Sequence, residues 1–196
     1  MTRKPRSWLA PFALFLPLFW TGCQPATDAE APSSNVEAQV PLAPAPDPAD
    51  VESVEAIVHA VYEVISGDAG TARNWDRWRS LFLPEAQLHP VGATQGGGHA
   101  AGVMTPEEFV QNTDSVFTAD GFYEIEIGHV TETYGNIAHR FSSYASFRSS
   151  EETEAFNRGI NSFQLLNDGE RWWVLSIFWQ HEPDAGPIPA KYLTDP

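Results

Sequence analysis

Few side chains in this sequence are of types that move protons, hold metals or attack a substrate, and their spacing narrows the chemistry further. The six histidines stand at 59, 89, 99, 129, 139 and 181 with no H-x-H or H-x-x-x-H spacing, and Cys23 is the only cysteine. A zinc site, which needs nitrogen and sulfur ligands closing on one point, is not signalled, and no cofactor is indicated. No G-x-S-x-G elbow or Walker loop occurs. Gly96 to Ala101 spells G-x-G-x-x-A, but no long parallel strand precedes it and Pro-containing irregular sequence surrounds it. It reads as a mobile flap beside a pocket, or as a plain flexible loop, rather than as a dinucleotide cradle. His89 is the strongest catalytic candidate, because an imidazole takes or gives a proton near neutral pH without extreme tuning. Its place beside Pro90 at a strand end equally suits a hydrogen-bonded structural role. Asp76, close to Trp75 and Trp78, falls on the charged face of a helix, where a surface pair with Arg79 is expected.

The elements that position these groups begin after a leader. Thr2 to Arg6 is a positively charged start, and Trp8 to Trp20 is an apolar run too short and too Pro-broken for a stable bilayer-spanning helix. That is the pattern of an export signal. Trp20-Thr21-Gly22-Cys23 resembles the lipobox of bacterial lipoproteins, in which small residues precede a cysteine that is lipidated and becomes the new N-terminus. The resemblance implies loss of residues 1–22, a lipid anchor at Cys23 and, with Gln24 where Asp would redirect it, retention at the outer membrane facing the periplasm. Trp20 stands where that family usually carries Leu, and an ordinary cleaved signal with an incidental cysteine is the alternative. A lone unmodified thiol is a liability in an oxidising compartment, which favours modification. Loss of Arg3, Lys4 and Arg6 with the leader leaves 8 basic against 26 acidic residues. Such a surface repels phosphate backbones and anionic headgroups, so nucleic-acid binding is excluded and membrane contact is expected only through the anchor. Residues 23–47, rich in Ala and Pro with scarcely any large apolar side chain, read as a disordered tether.

Residues 48–182 form one domain by size and pattern. Asp47-Pro48-Ala49-Asp50 opens a helix whose apolar positions run Val51, Val54, Ile57, Val58, Val61, Tyr62 and Ile65. A second helix follows from about Arg73 and stops at Pro84. Ala86 to Val91 reads as a short strand and residues 92–102 as a loop. Thr105-Pro106-Glu107-Glu108 is a capping box for a third helix to about Thr118. Strands then follow from Phe122 to Thr133 and from Ile137 to Phe147. Phe156 to Glu182 is a hairpin turning at Asn167-Asp168-Gly169-Glu170. A strict two-residue period along its second arm puts Trp173, Leu175, Ile177 and Trp179 on one face. Helices segregated onto one face of a bent antiparallel sheet make an α+β layout. The tail, residues 183–196, carries four prolines and cannot continue the last strand.

The order of these elements, Leu83-Pro84-Glu85-Ala86 before a strand ending in Pro90-x-Gly92, the Thr-Pro-Glu-Glu helix and Arg171-Trp172-Trp173-Val174 together resemble the nuclear transport factor 2-like superfamily. That superfamily includes ketosteroid isomerases and SnoaL-like cyclases. The resemblance implies a cone, in which a curved antiparallel sheet wraps three N-terminal helices around an internal apolar pocket, often in a homodimer through the outer sheet face. In the isomerases a carboxylate precedes the Pro-x-Gly, a Tyr on the first helix and an acid on the penultimate strand assist it. Here those places hold His89, a position near Ala60 with Tyr62 about 200° away around the axis, and Ser162. These departures argue against a steroid-isomerase assignment.

The register that the resemblance implies turns Arg140, Ser142 and Tyr144 inward on one strand, Arg158, Ser162 and Gln164 on the next, and Trp173 and Trp179 on the last. His139 and Asn161 then fall on the opposite face, where a dimer contact is expected. Tyr144 reads either as a donor to a ligand carbonyl or as a buried hydroxyl satisfied by backbone. Arg158 suits a carboxylate-bearing ligand or a salt bridge. The favoured function is an envelope-anchored domain binding a small apolar or carboxylate-bearing molecule. A cofactor-independent isomerase, dehydratase or hydrolase with His89 as base, and a docking module using the outer sheet face, are the alternatives.

Overall fold

The computed structural model describes residues 44–193; the leader, Cys23, most of the tether and the last residues of the tail lie outside the described residues. Where one helix is expected at the start of the domain, two form. Helix α1 spans Pro48–Val51 and α2 spans Val54–Ile65, because Ser53 takes an extended backbone and its hydroxyl caps the second helix through the amide of Ala56. Helix α3, Trp75–Leu81, is capped by Asn74 and ends where the chain turns extended at Phe82. Strand β1 then runs Phe82–Ala93 with an irregularity between Phe82 and Gln87, so Pro84 sits inside a strand and not at a helix end. The glycine segment pairs back as β2, His99–Ala101, against Val91–Ala93. Helix α4, Pro106–Asp120, carries the expected box: the Thr105 hydroxyl accepts from the Glu108 amide and the Glu108 carboxylate from the Thr105 amide.

The remaining strands are β3 Tyr123–Tyr134, β4 Ile137–Phe147, β5 Asn157–Asn167 and β6 Trp172–His181. A short helix α5, Glu182–Ala185, and a 3-10 turn at Ala190–Tyr192 follow. The six strands form one curved, unclosed sheet in the order β2-β1-β6-β5-β4-β3. All its pairs are antiparallel except β1 with β6, which run parallel. The concave side holds the core: Ile57, Val58, Val61 and Ile65 of α2, Trp78 and Leu81 of α3, and Leu88, Phe163, Val174 and Ile177 of the sheet.

Two extra residues set the phase of the strands. Ile127 interrupts pairing between β3 and β4, and Leu175 does so between β5 and β6. Each bulge shifts the alternation by one position and bends its strand. Val174, Ile177, Trp179 and His181 consequently share the inner face, and Trp173 is excluded from it. Trp173 is instead held at the turn, its indole N–H donating to Asp168 Oδ2 at 2.6 Å and its ring lying 3.6 Å beneath the Arg171 guanidinium.

The tail folds back over the convex side. Ser143 Oγ donates to the Tyr192 carbonyl at 2.7 Å and Phe141 packs edge-on against Tyr192. A dimer through the outer face, as the resemblance implies, is left with the β1, β5 and β6 portion, near which Leu175 and Phe178 are exposed.

Candidate functional site

A partly open cavity of about 300 Å³ lies between α2, α3 and α4 and the inner face of the sheet. Its walls are mainly aromatic and aliphatic, and include Trp78, Phe109, Phe117, Phe122, Phe163 and Trp179. Strand pairing gathers the sheet's polar groups. Glu124 on β3 lies opposite Ser146 on β4, Ser146 opposite Asn157 on β5, Tyr144 opposite Gly159, Gly159 opposite His181 on β6, and Asn161 opposite Trp179. Gly159 is required there by close approach: a Cβ would stand 2.5 Å from the Tyr144 hydroxyl and against the Gln180 carbonyl.

The Glu124 carboxyl accepts from Ser146 Oγ at 2.9 Å and from Asn161 Nδ2 at 3.3 Å. Burial raises its pKa to about 7, against the opposing effect of those two donors. Tyr144 is fully buried, and its pKa is driven well above the usual phenol range by burial and by the nearby Glu124 charge. Its hydroxyl lies 2.6 Å from His181 Nδ1, which also receives Asn157 Nδ2 at 2.8 Å. The Asn157 amide nitrogen can only donate, so Nδ1 is the acceptor and the ring proton belongs on Nε2. Burial lowers the His181 pKa below the ordinary imidazole value, which keeps the ring neutral near pH 7.

A second polar cluster adjoins the first on the α2 side. Asn161 Nδ2 donates to the Tyr62 hydroxyl at 3.1 Å, Tyr62 to Ser142 at 2.6 Å, and Ser142 to Glu126 Oε1 at 2.5 Å. Arg140 closes on Glu126 in a two-point pair and also donates to Thr131. Through this chain Tyr62 faces the sheet, although its offset from Ala60 places it on another side of the helix.

Sequence comparison finds no protein-family model and no curated protein that matches the chain. Among solved structures, it superposes on a protein assigned as the β subunit of an aromatic-ring-hydroxylating dioxygenase from Novosphingobium aromaticivorans. The TM-score is 0.51 and the identity 15%, over 74% of this chain and 95% of that one. A second protein from that organism, described as nuclear transport factor 2-like with a cystatin-like fold, gives 0.49 and 13% over 66% and 80%. One assigned as a ketosteroid isomerase from Parabacteroides distasonis gives 0.42 and 14% over 66% and 89%. The fold is the cone that the nuclear transport factor 2-like resemblance implies, a curved, unclosed sheet with helices on its concave side.

Within this nuclear transport factor 2-like cone, Tyr144 and Trp179 line the cavity together. Arg140 and Ser142 point to the same face but are engaged in the adjacent cluster and do not line it. His89 lies outside. Its neighbour Leu88 takes the inner face, and the imidazole rests against Phe178 with Nδ1 3.3 Å from the Gly102 carbonyl. Arg158, Ser162 and Gln164 also face outward, because β5 is one position out of the expected phase: Gly159, Asn161 and Phe163 lie opposite Tyr144, Ser142 and Arg140. Arg158 approaches Glu182 at 3.5 Å, and Ser162 meets His139 at 3.0 Å. Asn161, expected on the outer face, is in the cavity. Asp76 pairs with Arg79 at 3.0 Å as expected.

The residues that sequence reasoning missed are Glu124, Asn157, Asn161 and His181. His181 follows Trp179 by two positions and was recoverable from alternation; Glu124 and Glu126, alternating with Ile125 and Ile127, were recoverable as two acids on one face of an apolar strand. Among the described residues no group of three or more His, Cys, Asp or Glu side chains is arranged to hold a metal.

Proposed function

We propose that the domain binds a small, mainly apolar molecule in the cavity, with the molecule's polar end directed at Glu124, Asn161 and His181. The observation that carries this reading is the cavity itself: about 300 Å³ of aromatic-walled space with Glu124, Tyr144, Asn157, Asn161 and His181 in its lining. The carboxylate-bearing ligand loses its main support, since Arg158 is outside and Arg140 is occupied by Glu126. Binding of N-phenyl-1-naphthylamine to the purified chain tests the reading. Saturable, blue-shifted fluorescence is expected, and it should be lost in Thr113→Trp, which fills the cavity. No saturable signal, or one unaffected by that substitution, would overturn it.

Acid–base catalysis is the second reading, moved from His89 to Glu124 because a carboxyl whose pKa reaches about 7 inside a cavity is matched to proton transfer at neutral pH. Deuterium uptake at the carbon next to the carbonyl of bound 2-tetralone, lost in Glu124→Gln, is the expected sign. A rate equal to that of buffer removes this reading.

The proposed setting is the bacterial envelope, with the domain held off the outer membrane by the tether and a lipid on Cys23. Support comes from the leader and the lipobox-like Trp20 to Cys23. The mass of the N-terminal peptide tests it, an unmodified cysteine being the contrary result.

A further inference from the structure

The Glu124 side chain is half-buried, and its carboxyl has no ion-pair partner among the described residues. Its two donors, Ser146 Oγ and Asn161 Nδ2, are neutral. The nearby guanidinium, Arg140, is taken up by Glu126, and no Lys or Arg lines the cavity. Aromatic rings line the same cavity as this acid. Trp78 stacks on Phe109 with centroids 4.7 Å apart and Phe117 on Phe122 at 4.1 Å. Phe163 and Trp179 complete the wall. An aromatic-walled cavity that contains one carboxylate suits a cation with a hydrocarbon skin, since the acid neutralises its charge and the rings left open to the cavity attract it. The strongly acidic chain, net −15 overall, raises the local concentration of such cations.

We propose that the cavity's ligand is an apolar organic ammonium ion, a protonated or quaternary amine with its charge beside Glu124 and its hydrocarbon part among the aromatic rings. This rests on the reading of the cavity as a small-molecule site.

Proton linkage follows from the surroundings of Glu124. Tyr62 reaches toward it from α2 and Tyr144 from β4, both held neutral by burial. His181 from β6 lines the same cavity as a neutral ring, and Glu126 on the same strand is paired with Arg140. Glu55, His59 and Glu63 of α2 share a second, outer groove with Glu124 and Glu126, so the part of the linkage owed to Glu124 is the difference between the wild-type chain and Glu124→Gln. A cation beside Glu124 favours the carboxylate, so binding draws its pKa down from about 7 and releases up to one proton near neutrality.

The test uses benzyltrimethylammonium and its uncharged isostere neopentylbenzene as competitors of N-phenyl-1-naphthylamine on the full chain. At about pH 8 the cation is expected to compete about tenfold better or more, the advantage shrinking at about pH 5.5, where Glu124 is protonated. Glu124→Gln should abolish the advantage while still binding the isostere, which also reports that the variant is folded. Calorimetry in two buffers of different ionisation heat should show proton release by the wild-type chain in excess of that by Glu124→Gln. If the isostere matches or beats the cation, if Glu124→Gln keeps the advantage, or if there is no such excess, the ammonium assignment is overturned while small-molecule binding stands. Failure of the naphthylamine and both competitors alike overturns the binding reading, and this one with it.

Discussion

Replacing Glu124 with Gln should stabilise the empty protein above neutral pH and leave it unchanged in acid. In the folded chain the carboxyl holds its proton until about pH 7, against an ordinary value of 4.5. The native state therefore binds more protons than the unfolded chain between those limits. The contribution is fully present below the ordinary carboxylate range and is lost as pH rises through about 7. At about 1.4 kcal/mol per pH unit, the gap of roughly 2.5 units is worth about 3 kcal/mol as an upper figure. Gln keeps the shape and the hydrogen-bonding capacity without the charge, so it should gain up to that amount at about pH 8 and nothing at about pH 4.5. His181, whose folded pKa is lowered, acts in the opposite sense near its ordinary range, which is why the wild-type value alone is ambiguous and the difference between the two chains is the quantity to read. Urea unfolding of both at matched pH values between about 4.5 and 8 supplies it. A difference that does not change with pH, or that falls as pH rises, would refute the argument that burial without a cation governs this group.

Gly159→Ala should cost about 1–3 kcal/mol and abolish naphthylamine binding, because its methyl drives Tyr144 from His181; a melting curve with and without the probe checks both. Arg73 donates to the carbonyls of Ile65, Gly67, Thr71 and Phe117, so Arg73→Met should cost about 3 kcal/mol in urea by leaving them unmet. His89→Ala should leave probe affinity within a factor of about 2, since the ring is outside the cavity, whereas Trp179→Ala should weaken it about tenfold or more. Equal effects of these two substitutions would contradict the placement of the strands.

The sequence carried the fold at the level of signals that act locally. Thr105 to Glu108 announces its helix because the capping box is built from four consecutive residues, and Asp168-Gly169 announces its turn for the same reason. Ser53 breaks a helix that the apolar spacing would have continued, and that break too was within reach of a capping argument. The candidate site was less legible. Its members are brought together by which neighbour each strand faces, and one added residue reverses that choice for everything beyond it. An unbroken alternation would turn Trp173 inward, and Leu175 interrupts it. Whether Arg158 and Ser162 face inward depends on a phase of β5 that its pairing with β4 sets. Glu124 reads as one more acid in a chain full of them; its lack of an ion-pair partner among the described residues is a property of three-dimensional neighbours.

The bulges at Ile127 and Leu175 carry a consequence for how such a shell changes over time. Removing Leu175 would restore plain alternation with Val174, Ile177, Trp179 and His181 still inward, and would take away only the bend. Curvature here is written in the count of residues, whereas chemistry is written in their identity. The two can therefore be inherited and altered separately, one deletion reshaping the vessel without touching a single group that lines it.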